Sequence, residues 1–285
     1  MPAIDTIIFD LDGTLYEEER IYDRYAEEIA RLLPGEDRAE FIREWGEMKS
    51  GRGPKIVGLG YDISRRHLFR HAGGRLTGYL TWEGEDLPAE TEPGSYPLFG
   101  SGRLNVGDSW GLLAALAARH GLPGDRRQAA FVATRTYMSG EGRLQVEPSL
   151  RPSLLTLREY GVQLIAMSNS PAGSVTDTFD QLGIGDCFSR IIPDAAKPAG
   201  RIDFLGTLSR AERTLSVGDN YVNDIEPALD AGAPALYIDR HDTGLGVDRP
   251  RCTIVPSREE AWKHLRTLVD RPDAWRLHPP EHSES

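Results

Sequence analysis

Two carboxylates, Asp10 and Asp12, stand one residue apart at the end of an apolar run, residues 4–9, and are followed by Gly13 and Thr14. Like charges crowded together at a partly buried place repel one another and raise a pKa unless a cation compensates them. A divalent metal would do so, and hard oxygen ligands favour Mg²⁺, which completes its shell with waters and substrate phosphate. The alternative is an ordinary strand that ends in a polar turn with Asp as a turn former.

The apolar run predicts the buried strand that delivers these acids. Its residues Ile7, Ile8 and Phe9 are β-branched or aromatic, and a continuous apolar pattern suits a central parallel strand. In open α/β sheets, ligands bind beyond the carboxyl ends of the strands, where the strand order reverses. We therefore expect the two acids to lie at a ligand site.

Composition narrows the class of protein. The chain has 285 residues, of which 39% are hydrophobic, and a formal net charge of −11. This acidity argues against nucleic acid or an anionic membrane as a partner, because both require basic patches. The two cysteines, Cys187 and Cys252, are far apart and lack metal-ligand spacing, and the sequence shows neither a signal peptide nor an apolar span. These features predict a globular protein of the reducing cytoplasm.

The stretch from residue 16 to residue 149 is predicted to be mostly helical. In its first helix, Ile21, Tyr25 and Ile29 recur at helical spacing on one face. The predicted helices cover residues 17–33, 39–48, 64–71, 109–120 and 126–138. Between residues 73 and 107 this pattern breaks, and at most one hairpin is expected there, at residues 76–82.

From residue 150 onward, short strands alternate with helices, which is typical of a parallel sheet with helices on both faces. Strands are predicted at residues 162–167, 191–192, 214–217 and 235–238. Helices are predicted at residues 150–160, 171–182 and 201–209, after residue 224 as far as residue 231, and at residues 257–269. The polar, proline-containing tail, residues 273–285, is predicted to be disordered.

Polar side chains follow successive strands of this second half. Ser168 and Asn169 follow one strand, Lys197 lies just after the next, and Asp219 and Asp224 follow the third. Each has an ordinary alternative: a helix cap, a solvated lysine, or a cap with an exposed acid in the first helical turn. Their common place at strand ends, together with the two acids of the opening loop, favours one shared site.

At these positions the chain resembles the haloacid dehalogenase superfamily of phosphohydrolases. The four motifs of that family correspond, in order, to residues 9–15, 167–169, 197–198 and 218–224. The resemblance implies a Rossmann-like α/β core of residues 1–15 and 150–272, with helices on both faces of its parallel sheet. Residues 16–149 take the place of the family's inserted cap domain, which is expected to be mainly helical and to determine substrate specificity.

The resemblance also implies an activity, Mg²⁺-dependent hydrolysis of a phosphate monoester of a small metabolite. Asp10 would be the nucleophile that takes the phosphoryl group as an aspartyl-phosphate, and Asp12 would be the general acid and base. The implied catalytic residues are Asp10, Asp12, Ser168 and Lys197, with phosphate contacts from Thr14, Ser168, Asn169 and Lys197. The implied Mg²⁺ ligands are Asp10, Asp12 through its backbone carbonyl, Asp219 and Asp224. Because the dehalogenases of the family lack the second Asp, its presence favours a phosphatase.

Two parts of the sequence give less guidance. After Lys197 and its proline, the family continues with an acid or serine and a second proline, whereas this chain has Ala199 and Gly200. In the cap, His67 and His71 stand four residues apart on the predicted helix 64–71, and a solvated helix face is favoured there over a metal site.

Alternatives to a phosphatase remain open at this point. A phosphomutase or another phosphotransferase on the same fold would return the phosphoryl group to an acceptor other than water. A non-catalytic binding module would retain the fold without turnover. A small phosphorylated metabolite is the expected partner, with no nucleic acid and no membrane, and the sequence does not predict an oligomeric state.

Overall fold

The computed structural model describes residues 4–88, 98–100 and 102–270. In chain order its strands are β1 (Thr6–Phe9), β2 (Leu59–Asp62), β3 (His67–Ala72), β4 (Arg75–Leu80), β5 (Arg103–Val106), β6 (Gln163–Met167), β7 (Arg190–Ile192), β8 (Thr214–Gly218), β9 (Ala235–Ile238) and β10 (Cys252–Val255). Its α-helices are α1 (Glu19–Leu32), α2 (Gly35–Lys49), α3 (Ser109–Arg119), α4 (Gly124–Ser139), α5 (Leu150–Glu159), α6 (Ala172–Leu182), α7 (Ala199–Gly206), α8 (Glu226–Asp230) and α9 (Arg258–Asp270).

The chain divides into two compact units. The core unit comprises Met1–Glu17 and Leu144–Ser285, and the inserted unit comprises Glu18–Arg143. The boundaries predicted from the sequence, after residue 15 and before residue 150, assign fewer residues to the core. The predicted disordered tail, residues 273–285, lies outside the described residues.

The linking residues belong to the core unit because the core holds them by hydrogen bonds and an ion pair. The backbone N–H of Gly13 donates to the Tyr16 carbonyl at 2.9 Å. On the second link, the Glu147 carboxylate pairs with Arg258 at 2.5 Å, and the same guanidinium donates to the Leu15 carbonyl at 3.3 Å. Contacts of this kind leave no periodic pattern in the sequence, so the sequence does not indicate the two boundaries to the residue.

The core unit is built on one parallel sheet of six strands in the order β10-β9-β8-β1-β6-β7. Numbered within the core alone, this is the doubly wound order of a Rossmann-type fold, and the direction of winding reverses between β1 and β8. The side chains of Ile7, Ile8 and Phe9 on β1 are fully buried, as the continuous apolar run predicted. The predicted α/β fold is thereby confirmed.

The inserted unit combines helices α1 to α4 with an antiparallel sheet in the order β4-β3-β2-β5. Side chains alternate between the two faces of β3. Leu68 joins the main core of the unit with Ile29 of α1 and Leu113 of α3, and Phe69 joins a second cluster with Tyr79. The four helices of this unit lie where helices were predicted. Of its sheet, only a hairpin at residues 76–82 was expected, whereas the structure has a single strand there, β4, whose hairpin partner is β3.

The predicted helix at residues 64–71 is wrong, because residues 67–72 form β3. Gly73 and Gly74 both have positive φ angles, 56° and 69°, and close a tight hairpin between β3 and β4. Such a turn demands residues that tolerate the left-handed region, and this Gly-Gly pair was the sequence signal for it. Side chains alternate along β3, so His71 lies on the same face as Phe69, where it is buried rather than on a solvated face.

Acid should weaken the inserted unit through His71, which lies buried beside the rings of Phe69 and Phe99. Burial lowers the pKa of its imidazole from 6.5 to about 4. The unfolded chain takes up this proton below pH 6.5, whereas the folded chain does not until about pH 4. The free energy of unfolding should therefore fall through this window, by roughly 3 kcal/mol in all.

The measurement is urea unfolding of the wild type and of His71→Gln, at neutral pH and at the acid end of the window. Three of the four tryptophans in the described residues, Trp45, Trp82 and Trp110, belong to the inserted unit, so fluorescence reports mainly on it. The free energy of unfolding of His71→Gln should lack the fall between pH 6.5 and about pH 4 that His71 causes in the wild type. An identical acid loss in both proteins would contradict this assignment.

Within the described residues, no helix is both long enough and apolar enough to cross a membrane.

Candidate active site

The predicted site residues of the core meet beyond the carboxyl ends of β1, β6 and β8. Asp10 follows β1 directly, and its backbone N–H donates to the Val217 carbonyl of β8 at 2.9 Å. Ser168 follows β6 directly, and Asp219 follows β8 directly. One oxygen each of Asp10, Asp219 and Asp224 lies within 4.8 Å of the others. Parallel strands bring these residues to one edge of the sheet, as the sequence predicted.

Lys197 reaches into this cluster although it lies in the loop between β7 and α7. Its Nζ lies 2.5 Å from Asp10 Oδ1 and 2.8 Å from Asp224 Oδ1, and all three side chains are buried. Asn169 fixes the loop, since its Oδ1 accepts from the Lys197 N–H at 2.6 Å and its Nδ2 donates to the Lys197 carbonyl at 3.2 Å. Asn169 thus positions the lysine, and its predicted phosphate contact stays a prediction.

Burial and charge set the protonation of this pair. Burial raises the pKa of the Asp10 carboxyl from 3.8 to about 7; Lys197 opposes the rise, and repulsion from Asp224 and Asp12 adds to it. For Lys197, burial disfavours the ammonium, but attraction to Asp10 and Asp224 outweighs burial and raises the pKa. The lysine therefore stays charged, and a further cation beside Asp10 would favour its carboxylate form.

Asp12 is held by neighbours that the sequence analysis did not identify. The Tyr16 hydroxyl donates to Asp12 Oδ1, and the Ser170 hydroxyl donates to Asp12 Oδ2 at 3.3 Å. Ser170 is itself placed by Ser168, whose Oγ accepts from the Ser170 N–H at 3.1 Å. The Ser168 hydroxyl proton is not used in that bond, so it can be donated to a ligand.

Two residues of the first loop shape the space around the acids. Gly13 has a φ of 77°, and a Cβ at this position would overlap Asp219 and Arg240. Only glycine combines this backbone angle with so close an approach. Thr14 is buried, its Oγ1 has no hydrogen-bond partner among the described residues, and its predicted phosphate contact stays a prediction.

Two arginines that the sequence analysis did not identify contact the acids. Arg240, which comes two residues after β9, pairs with both Asp219 and Glu17. Arg201 on α7 is fully buried and donates to Asp224 Oδ1 at 2.7 Å. The rule that ligands gather at strand ends could have identified Arg240. No pattern in the sequence marks Arg201, because most arginines are exposed.

The acidic cluster fits a divalent cation. Asp224 Oδ2 is buried and has no hydrogen-bond partner in the described part of the chain, and a buried carboxylate oxygen in that state is unfavourable unless a cation binds it. One carboxylate oxygen of Asp224 lies within 4.8 Å of one of Asp10 and one of Asp219, and three such oxygens form the hard donor set that Mg²⁺ prefers. The Asp12 carboxylate accepts hydrogen bonds from Tyr16 and Ser170. The metal contact predicted for Asp12 is through its backbone carbonyl, and that contact stays a prediction.

Comparison with known proteins identifies the family. A model of the haloacid dehalogenase-like hydrolases matches residues 4–232 of the chain. A search of curated protein sequences found no match. Several solved structures are similar to this one, at low sequence identity.

Three of them illustrate the likeness. A haloacid dehalogenase-like family hydrolase from Xanthomonas campestris is 17% identical, with a TM-score of 0.51 and coverage of 95% of this chain and 94% of that one. The L-2-haloacid dehalogenase RSc1362 is 18% identical, with a TM-score of 0.47 and coverage of 93% and 100%. The HAD-hydrolase YfnB from Bacillus subtilis, bound to magnesium, is 14% identical, with a TM-score of 0.50 and coverage of 93% and 100%.

At these identities the two structures with TM-scores of 0.51 and 0.50 support the fold alone, and the family model supports the family. That model spans β1 and the loops that carry Asp10, Ser168, Lys197 and Asp219, which are the loops that meet at the site. The chain belongs to the haloacid dehalogenase-like hydrolases.

Proposed function

We propose that this hydrolase is a Mg²⁺-dependent phosphatase that cleaves a phosphate monoester of a small metabolite through an aspartyl-phosphate at Asp10. The observation that carries the proposal is the placement of Asp12. It stands two residues from the nucleophile, outside the acidic cluster, and is oriented by Tyr16 and Ser170. A carboxylate held in this way suits a general acid and base.

In the first half of the reaction, a carboxylate oxygen of Asp10 attacks the phosphorus atom. The bond from Asp10 to phosphorus forms as the bond from phosphorus to the leaving oxygen breaks, and Asp12 donates a proton to that oxygen. Lys197 and the Ser168 hydroxyl stabilise negative charge on the phosphoryl oxygens. Mg²⁺ held by Asp10, Asp219 and Asp224 would neutralise charge between the nucleophile and the phosphoryl group.

In the second half, Asp12 takes a proton from water, and the water oxygen attacks phosphorus. The bond from Asp10 to phosphorus then breaks and inorganic phosphate leaves, which returns both acids to their starting forms. A halide leaving group needs no such proton. The presence of an oriented Asp12 therefore favours phosphate ester hydrolysis over dehalogenation.

The net charge of −11 supports a small metabolite as substrate, because nucleic acids and anionic membranes require basic surfaces. The inserted unit is proposed to select among phosphorylated metabolites, as a lid that excludes water does in many enzymes. A cytoplasmic location stays a prediction that rests on the low cysteine content.

The test is phosphate release from p-nitrophenyl phosphate, a sugar phosphate and a nucleotide, each with Mg²⁺ and with a chelator. Chloride release from 2-chloropropionate is measured beside them. We expect phosphate release that requires Mg²⁺, and no chloride. Equal phosphate release in the chelator, chloride release, or no release of either ion by the folded protein would contradict the proposal.

A further inference from the structure

A fully buried arginine lies beneath the candidate metal site. Arg201 has no solvent exposure, and neither have its partners Ser216 and Asp224. Its guanidinium donates to Ser216 Oγ and to Asp224 Oδ1, both at 2.7 Å, and the Ser216 hydroxyl donates to the Asp224 carbonyl at 2.6 Å. The three hydrogen bonds thus join Arg201, Ser216 and Asp224 in a ring, and Asp224 is a predicted ligand of the metal.

Burial of an arginine needs compensation, because an ion taken out of water loses several kcal/mol of hydration free energy. Here the Asp224 carboxylate compensates the guanidinium, and the planar fork of the arginine reaches two acceptors at once. A lysine carries the same charge on a single nitrogen and cannot reproduce the fork. The geometry therefore selects arginine at this position.

The local sequence explains how Arg201 comes to lie there. Gly200 occupies the first turn of α7, where a Cβ would overlap the backbone carbonyl of Ala195. The absence of a side chain lets α7 pack directly on the loop that carries Lys197, and this brings residue 201 beneath the site. The departure of Ala199 and Gly200 from the usual family pattern thus accompanies a buried arginine.

We infer that Arg201 is a positioning residue for the site: its fork holds Asp224 so that one carboxylate oxygen receives Lys197 while the other stays available to the metal. Asp224 Oδ1 accepts from both Lys197 and Arg201, whereas Oδ2 accepts from none of the residues that the structure describes. Arg201 also neutralises part of the negative charge of Asp224. Asp224 therefore attracts the Lys197 ammonium less strongly, and the ammonium stays close to Asp10. This inference rests on the proposed function.

The test compares Arg201→Lys and Ser216→Ala with the wild type. The first variant keeps the charge and loses the fork, and the second removes only the hydroxyl that joins the arginine to the Asp224 backbone. Arg213→Lys is the matched control, since Arg213 pairs with Asp5 before β8, at the opposite end of the strand. For each protein, Mn²⁺ affinity is measured by electron paramagnetic resonance without substrate, beside thermal unfolding, kcat and KM.

We expect Arg201→Lys to weaken Mn²⁺ binding about 10-fold and to lower kcat about 10- to 100-fold, with KM within about threefold of the wild type. Ser216→Ala should shift Mn²⁺ affinity and kcat in the same directions by about threefold, and it decides the matter if Arg201→Lys does not fold. The control should match the wild type.

A purely structural role predicts a lower unfolding temperature with unchanged Mn²⁺ affinity and kcat, and that result would overturn the inference. The failure of the proposed function looks different. In that case the wild type binds Mn²⁺ but releases no phosphate, and the loss of Mn²⁺ affinity in Arg201→Lys still decides the role of the arginine.

Discussion

Replacement of Asp10 by asparagine should lower Mg²⁺-dependent phosphate release by about four orders of magnitude or more, because an amide oxygen does not form the acyl-phosphate bond. The amide oxygen of the variant can still accept from Lys197, so the geometry of the pair is retained. The measurement is single-turnover phosphate release by the wild type and the variant at saturating Mg²⁺.

The matched control is Asp5→Asn, the same change just before β1, where Asp5 pairs with Arg213. It should leave phosphate release unchanged. Asp10→Asn should also unfold at the same temperature as the metal-free wild type or higher, because burial and nearby acids raise the pKa of Asp10 to about 7 and make its charge unfavourable. Phosphate release within about tenfold of the wild type in folded Asp10→Asn would exclude Asp10 as the nucleophile.

Replacement of Asp12 by asparagine should slow hydrolysis by about 10²- to 10⁴-fold, with a loss that depends on the leaving group. An alkoxide needs the proton of Asp12, whereas p-nitrophenolate leaves without it. The amide of the variant can still accept from Tyr16, so the loop keeps its anchor. The measurement is the rate of aspartyl-phosphate formation from an alkyl phosphate and from p-nitrophenyl phosphate, by acid quench.

We expect Asp12→Asn to slow formation of the aspartyl-phosphate strongly with the alkyl phosphate and only weakly with p-nitrophenyl phosphate. The variant should slow hydrolysis of the aspartyl-phosphate with both substrates. Tyr16→Phe, which removes one of the two hydroxyls that orient Asp12, should show the same pattern with a smaller loss. Equal losses for both substrates in the formation step would contradict the role of Asp12 as general acid.

The strand-end rule explains how much of the site the sequence could predict. Residues 4–9 indicate a buried parallel strand by their composition, Asp10 and Asp219 follow strands directly, and Asp12 comes two residues after Asp10. A parallel sheet necessarily gathers such residues at one edge. The same rule indicated Lys197, just after the predicted strand at residues 191–192, and the family resemblance implied its role in catalysis.

The network beneath the site could not be predicted in this way. The contacts of Arg201 reach Ser216 and Asp224, which are 15 and 23 residues further along the chain. They depend on the packing of α7 against the sheet, which Gly200 permits and no local propensity encodes. The same holds for Arg240, whose partner Glu17 stands at the other end of the chain.

The inserted unit shows the limit of helical periodicity. Helical spacing predicts a helix that includes Leu68 and Phe69, yet the two side chains point to opposite faces of β3, where each meets its own apolar cluster. The Gly73-Gly74 turn pairs β3 with β4 in an antiparallel hairpin, and it acts through backbone geometry that helical periodicity does not report. β10 was not predicted either, because four residues at the edge of a sheet are too few to show a clear alternation of apolar and polar residues.

The most direct measurement is a search for the phosphoryl group on Asp10. The Asp12→Asn variant, in which hydrolysis of the intermediate should be slowest, is incubated with p-nitrophenyl phosphate and Mg²⁺, quenched in acid and digested, and its peptides are analysed by mass spectrometry. We predict that the peptide bearing Asp10 gains the mass of one phosphoryl group and that omission of Mg²⁺ prevents this. Turnover with the phosphoryl group on another residue, or on none, would contradict the central role assigned to Asp10.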